Sequence, residues 1–98
     1  MTANNGILEG LLSSLEQRLQ GQQDDSSYTQ KLLASSLNAV AQKVGEEAVE
    51  VVIASIAEND HCFKQEVADL LYHLAVLLIA KKVSVADIDA VLTARIKN

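Results

Sequence analysis

Apolar residues recur along this chain at helical intervals. Between residues 6 and 19, Ile7, Leu8, Leu11, Leu12, Leu15 and Leu19 trace the i, i+4 stripe of an amphipathic helix. Residues 20–25 (QGQQDD) break that stripe with polar side chains and Gly21, and read as a loop. A second helix is expected over residues 27–57, opened by Ser27 and Gln30 at the S-x-x-Q spacing of a capping box. Its stripe is Leu33, Leu37, Val40, Val44, position 47, Val51 and Ala54, a three-four alternation that suits the seam of a helical bundle. Position 47 in that seam is a glutamate. Glu58, Asn59 and Asp60 form the next turn. A third helix follows and runs to about residue 82, with Phe63, Val67, Leu70, Leu74, Leu77 and Leu78 on one face. Glu66, Asp69, His73, Val76 and Ala80 lie on the other. A helix this apolar all round is expected to be buried on most sides. The rest of one small chain cannot easily cover it, so a partner subunit is expected to do so. Ser84 and Asp87, at S-x-x-D spacing, cap a last helix that buries Val85, Ile88, Val91, Leu92 and Ile96.

No segment carries a convincing strand pattern. The chain therefore reads as an all-α single domain over residues 1–98, a four-helix chain whose bundle is shared in an intertwined homodimer. Composition agrees. Of 98 residues, 49% are apolar and only 3% aromatic, and there is no proline to forbid long helices. A net charge of -5 and the lack of a basic patch argue against nucleic acid as a partner. The single cysteine, Cys62, excludes an internal disulfide framework and a cysteine-based zinc site. Residues 1–7 contain no basic residue, so no targeting segment is expected. The longest apolar run, residues 70–80, is interrupted by His73 and is too short for a membrane span of about 20 residues. A soluble cytoplasmic protein without membrane contacts is the expectation.

The chemistry lies in the acids. Glu47 and Glu50 are three residues apart and share a helix face, and Glu66 and Asp69 repeat that spacing on the next helix. The midpoint of 47 and 69 is 58, and so is the midpoint of 50 and 66. Position 58 is in the turn, so an antiparallel hairpin sets Glu47 level with Asp69 and Glu50 level with Glu66. Four carboxylates then converge between helices about 8–10 Å apart. Burying them together is costly unless they are neutralised. Only Lys43 is close in sequence, so a metal ion is expected. All-oxygen ligation suits Mg²⁺, or Mn²⁺, ions that keep waters and bind substrate phosphates. The site reads as metal-assisted attack of water on a phosphate. A solvated acidic face is the plain alternative. The symmetry of the two pairs and the place of Glu47 in an apolar seam argue against it. A di-iron site usually needs two E-x-x-H motifs; this chain has one such spacing, Glu58 and His61, at the turn.

At these residues the chain resembles the phosphoribosyl-ATP pyrophosphohydrolases of histidine biosynthesis, all-α nucleotide pyrophosphohydrolases related to MazG. The superfamily pattern E-E-x-x-E, a spacer, then E-x-x-D is present as Glu46, Glu47 and Glu50, residues 51–65, then Glu66 and Asp69. The family-level likeness comes from longer strings: Ser27-Tyr28-Thr29, residues 42–50 (QKVGEEAVE) and residues 68–74 (ADLLYHL). The resemblance covers about residues 7–97. It implies a MazG-like fold and Mg²⁺-dependent hydrolysis of phosphoribosyl-ATP, between the α and β phosphates, to phosphoribosyl-AMP and pyrophosphate. It also implies that Glu47, Glu50, Glu66 and Asp69 are the metal ligands. Glu46, turned about 100° from Glu47 on the helix, holds the water or supports the ligands, so Glu46 and Glu47 are the candidate catalytic carboxylates.

Other residues carry two readings each. Lys43 either binds a substrate phosphate or pairs with Glu46 and Glu47 one turn on. Ser27, Tyr28 and Thr29 either touch phosphate at a helix N-terminus or, for Ser27, merely cap it. His73 either supports Asp69 four residues earlier and meets substrate, or is a satisfied buried histidine. Gly45 sits mid-helix, where close packing of a neighbouring helix or the approach of substrate would explain it. Lys82, with Lys81 and Arg95, either ends a solvated helix or reaches the substrate of a neighbouring subunit. Two other functions compete: a nucleotide hydrolase of the MazG type that removes dUTP or damaged nucleotides, and a non-enzymatic helical dimerisation module.

Overall fold

The computed structural model describes residues 6, 9–14, 17, 28–57 and 59–97. All the regular structure among them is helical. Residues 9–14 and 17 are helical, and from residue 28 onward the elements are α1 (Tyr28–Ala34), α2 (Leu37–Ala57), α3 (Asp60–Lys81) and α4 (Val85–Lys97). Of the first stripe, Leu12 is buried and Leu11 half-buried. Ile7, Leu8, Leu15, Leu19, the loop 20–25 and the proposed cap Ser27 lie outside the described residues.

The helix expected over residues 27–57 is two helices. The break falls at Ser35 and Ser36, where serine side chains compete for backbone hydrogen bonds. The Ser35 hydroxyl donates to the Leu32 carbonyl, and the Ser35 N–H bonds the same oxygen at 3.1 Å. Ser36 then caps α2: its Oγ accepts from the Ala39 N–H at 3.1 Å. Its carbonyl accepts from Ala39 and Val40 at 3.0 and 3.2 Å.

The remaining boundaries follow the local chemistry the chain displays. Asn59 caps α3 by accepting from the Cys62 N–H at 2.9 Å. The end of α3 is a Schellman turn: Lys82 N–H bonds Ile79 O, and Val83 N–H bonds Leu78 O, both at 3.0 Å. Lys82 takes the left-handed conformation there, at φ 61° and ψ 40°, a position glycine normally fills. Ser84 and Asp87 form the reciprocal capping box expected of them, with both bonds at 3.1 Å.

Helices α2 and α3 pack along each other as a hairpin and make the most extensive contact in the fold. The seam of α2 is in place: Val40 and Ala54 are buried, and Val44, Glu47 and Val51 are half-buried. Leu37, which opens α2 beside the serine break, is 46% exposed. The core joins Leu12, Leu32, Val40, Ala75, Val76 and Val85, with Tyr72 and Leu77 to Ile79 against it.

Within one chain α3 is covered only in part, as its all-round apolar pattern leads one to expect, whereas the burial expected of α4 is not met. On α3 only His73, Ala75 and Val76 are buried, while Leu71 is exposed. On α4 only Val85 is buried; Ile88, Val91, Leu92 and Ile96 are exposed, Ile96 by 81%. The cause is geometric. The hairpin and α1 bury their facing sides on each other, and the turn at Lys82 sends α4 where few side chains of the same chain meet it.

Candidate active site

The hairpin brings three carboxylates together. Glu47 from α2 and Glu66 and Asp69 from α3 each offer one oxygen, and those oxygens lie within 4.8 Å of one another. Glu47 and Glu66 are half-buried and Asp69 is exposed. Glu47 reaches this position because it occupies the apolar seam of α2, as its place in the stripe predicts; Glu66 and Asp69 share a face of α3 by their i, i+3 spacing. Glu50, one turn beyond Glu47, is exposed and falls outside the group of three.

Lys43 supplies the neighbouring positive charge. Its Nζ lies 3.6 Å from Glu46 Oε1 and 3.5 Å from Glu47 Oε2. Burial works against the Lys43 charge, but Tyr28 and the carboxylates of Glu47 and Glu46 outweigh it and hold the ammonium above its usual range. Glu46 is turned to the outer side of α2, where it also accepts from Gln42 Nε2 at 3.0 Å. It therefore stands beside the acid group, one step out from it.

A hydrogen-bonded aromatic cluster lies against the same hairpin. The His73 ring is buried, and its Nδ1 donates to the Asp69 carbonyl oxygen at 2.7 Å. A carbonyl only accepts, so Nδ1 carries a proton; in the neutral ring Nε2 is then the acceptor, and the Tyr28 hydroxyl donates to it at 2.8 Å. His73 is thus a satisfied buried histidine, and it bonds the backbone of Asp69 rather than its carboxylate. Tyr28 stacks on Tyr72 at 6.1 Å and meets the edge of His73 at 5.7 Å. Half of Tyr28 stays exposed.

Tyr28 also lines a cleft of about 430 Å³ between α1 and α2, together with Lys31, Leu32, Ser35, Ala39, Gln42 and Lys43. The serine break shapes it, because a continuous helix would leave no angle between α1 and α2. The continuous stripe hides that cleft from a sequence reading; the adjacent Ser35 and Ser36 are the one local signal of it.

The other expected site residues fall elsewhere. Ser27 lies outside the described residues, as does the side chain of Thr29. Lys82 closes α3 thirteen residues after Asp69, about 20 Å along the helix axis at 1.5 Å per residue. It reaches a group of acids only if they belong to another subunit. Gly45 has open space around it: among the described residues a Cβ there meets no atom within 4 Å, so no described helix packs against it.

Chemically, three oxygen donors at this separation suit a hard divalent cation. Lys43 and the cleft lie beside the donors, where the anionic and apolar parts of one molecule can be held together. Comparison with known proteins adds the family. A sequence model of the phosphoribosyl-ATP pyrophosphohydrolase family matches residues 9–95. The phosphoribosyl-ATP pyrophosphatase of Pyrobaculum calidifontis is 47% identical over 91 residues, 93% of this chain and 96% of that protein. Its namesake from Cereibacter sphaeroides is 45% identical over 89 residues, 91% of this chain and 85% of that protein.

Proposed function

We infer that this chain, which belongs to the phosphoribosyl-ATP pyrophosphohydrolase family, hydrolyses phosphoribosyl-ATP to phosphoribosyl-AMP and pyrophosphate in histidine biosynthesis. The observation that carries the reading is the convergence of Glu47, Glu66 and Asp69 from two helices beside Lys43 and the cleft. Water adds across the α–β anhydride linkage: its oxygen bonds to phosphorus, the P–O bond between the two phosphates breaks, and a carboxylate takes the proton.

Glu47, Glu66 and Asp69 would hold Mg²⁺ in this reading, with Mn²⁺ as the substitute, and Glu50, one turn beyond Glu47, would be the fourth ligand. The bound cation supplies charge neutralisation at the phosphates and lowers the pKa of a bound water. Glu47 and Glu46 orient the water and accept its proton. Lys43 divides its charge between those two carboxylates and a substrate phosphate, and Tyr28 lies at the wall of the nucleotide cleft.

The active form is a homodimer in the cytoplasm. Support for the dimer is the apolar surface left bare: Val49, Val52 and Ile56 on α2, with Val91, Leu92 and Ile96 on α4. Covering it with a second copy gives α4 the burial its pattern demands. Among the described residues no helix is long and apolar enough to cross a membrane.

The test is pyrophosphate release from phosphoribosyl-ATP, compared with dUTP and ATP, with and without Mg²⁺. Preference for dUTP makes the chain a house-cleaning nucleotide hydrolase instead, and no release from any of them leaves the dimerisation module. Light scattering at micromolar concentration reads the assembly; an active 10.5 kDa monomer overturns the dimer.

A further inference from the structure

We propose that the Tyr28 ring is the platform on which the purine base of the substrate stacks, and that His73 is the positioning residue that holds this ring in place. The proposal rests on the nucleotide-hydrolase reading above and names its base subsite.

Four observations converge on Tyr28. It is the one aromatic side chain lining the cleft. It is half exposed, a high exposure for a ring whose hydroxyl is satisfied at an internal partner. Tyr72 backs it at 6.1 Å with the rings inclined by only 26°, so a planar guest on the open side extends a stack that already exists. The cleft's other walls include Leu32 and Ala39, and its volume of about 430 Å³ is in the range of small-ligand sites, large enough for a nucleoside. Polarity is graded along the site. Lys43 stands where the cleft meets Glu47, so phosphates extend toward the acids while the base remains at the apolar end.

His73 fits the positioning role through its two bonds. The Asp69 carbonyl fixes the tautomer at Nδ1, which leaves Nε2 to receive the Tyr28 hydroxyl from α1. One buried imidazole thereby ties the stacking ring to the turn of α3 that carries Asp69. A ring fixed in advance loses less entropy when a base stacks on it. His73 itself is too buried to touch the substrate and acts through Tyr28.

The chain has two tyrosines and no tryptophan, so Tyr28 and Tyr72 account for its intrinsic emission. Titration with AMP, with ribose 5-phosphate as the control, should quench that emission through stacking, whereas ribose 5-phosphate should not. This binding arm needs no turnover, so it separates failure of the subsite from failure of the proposed reaction. In the assay, Tyr28→Leu should raise KM for phosphoribosyl-ATP by about five- to 140-fold, the range of a single base–aromatic stack, and leave kcat unchanged. Tyr28→Phe keeps the ring and should lose less. His73→Leu should match Tyr28→Phe, the two together should cost no more than either alone, and His73→Gln, which keeps an acceptor for the hydroxyl, should restore KM. Absence of AMP quenching in the wild-type protein overturns the proposal. So does an unchanged KM in Tyr28→Leu, or additive effects of His73→Leu and Tyr28→Phe.

Discussion

Asp69→Asn removes one of three negative charges without changing the shape of the side chain. The Glu47, Glu66 and Asp69 oxygens lie within 4.8 Å of one another. At that distance two unit charges repel by about 0.9 kcal/mol in a water-like dielectric, the appropriate one for an exposed residue. Screening over a Debye length of about 8 Å reduces this by roughly half. Asp69 repels two partners, so the substitution relieves about 1 kcal/mol in the metal-free protein. For a domain of this size that raises the unfolding midpoint by about 4–8 °C. With Mg²⁺ the order reverses. A cation at 100 times its dissociation constant stabilises the native state by about 2.7 kcal/mol, and the variant, short of one ligand, forfeits most of that gain together with pyrophosphate release. The assay is thermal unfolding by far-ultraviolet circular dichroism at one fixed protein concentration, with chelator or with Mg²⁺. A metal-free variant less stable than the parent refutes the repulsion argument. An equal Mg²⁺ shift in the two proteins refutes Asp69 as a ligand.

Two further substitutions test backbone features. Gly45→Ala should stabilise the protein by about 1 kcal/mol, because glycine inside a helix costs that much relative to alanine and the added Cβ meets nothing within 4 Å; a lower denaturant midpoint would mean that a second subunit closes on this turn. Lys82→Gly should raise the denaturant midpoint, by about 1 kcal/mol in stability, since a non-glycine residue in the left-handed region is strained; loss of activity in this variant, with stability raised, would favour a role for the Lys82 side chain across the dimer.

The parts of this fold that were legible in the sequence are those decided by contacts a few residues apart. The capping box of Ser84 and Asp87 depends on side chains within three positions of the groups they satisfy. The meeting of Glu47 with Glu66 and Asp69 is a long-range contact, yet it reduces to one local quantity, the position of the turn, from which helix geometry fixes the register. The break at Ser35 and Ser36 escaped that reasoning because two serines cost a helix little by propensity alone, and the stripe of apolar residues runs through them unbroken. What decides the break is that both hydroxyls find backbone partners, Ser35 backward to Leu32 and Ser36 forward to Ala39. The aromatic cluster escaped it for a different reason. Tyr28 and His73 are 45 residues apart, and nothing periodic relates them. The bare face of α4 is a third case. Its stripe leads one to expect cover for Ile88, Val91, Leu92 and Ile96, and all four are exposed in the single chain. Apolar periodicity measures demand for burial, and it is silent on whether the supply comes from the same chain. On that argument the exposed faces of α2 and α4 support the homodimer proposed above: a second copy seated there would give Ile96 the cover its pattern expects.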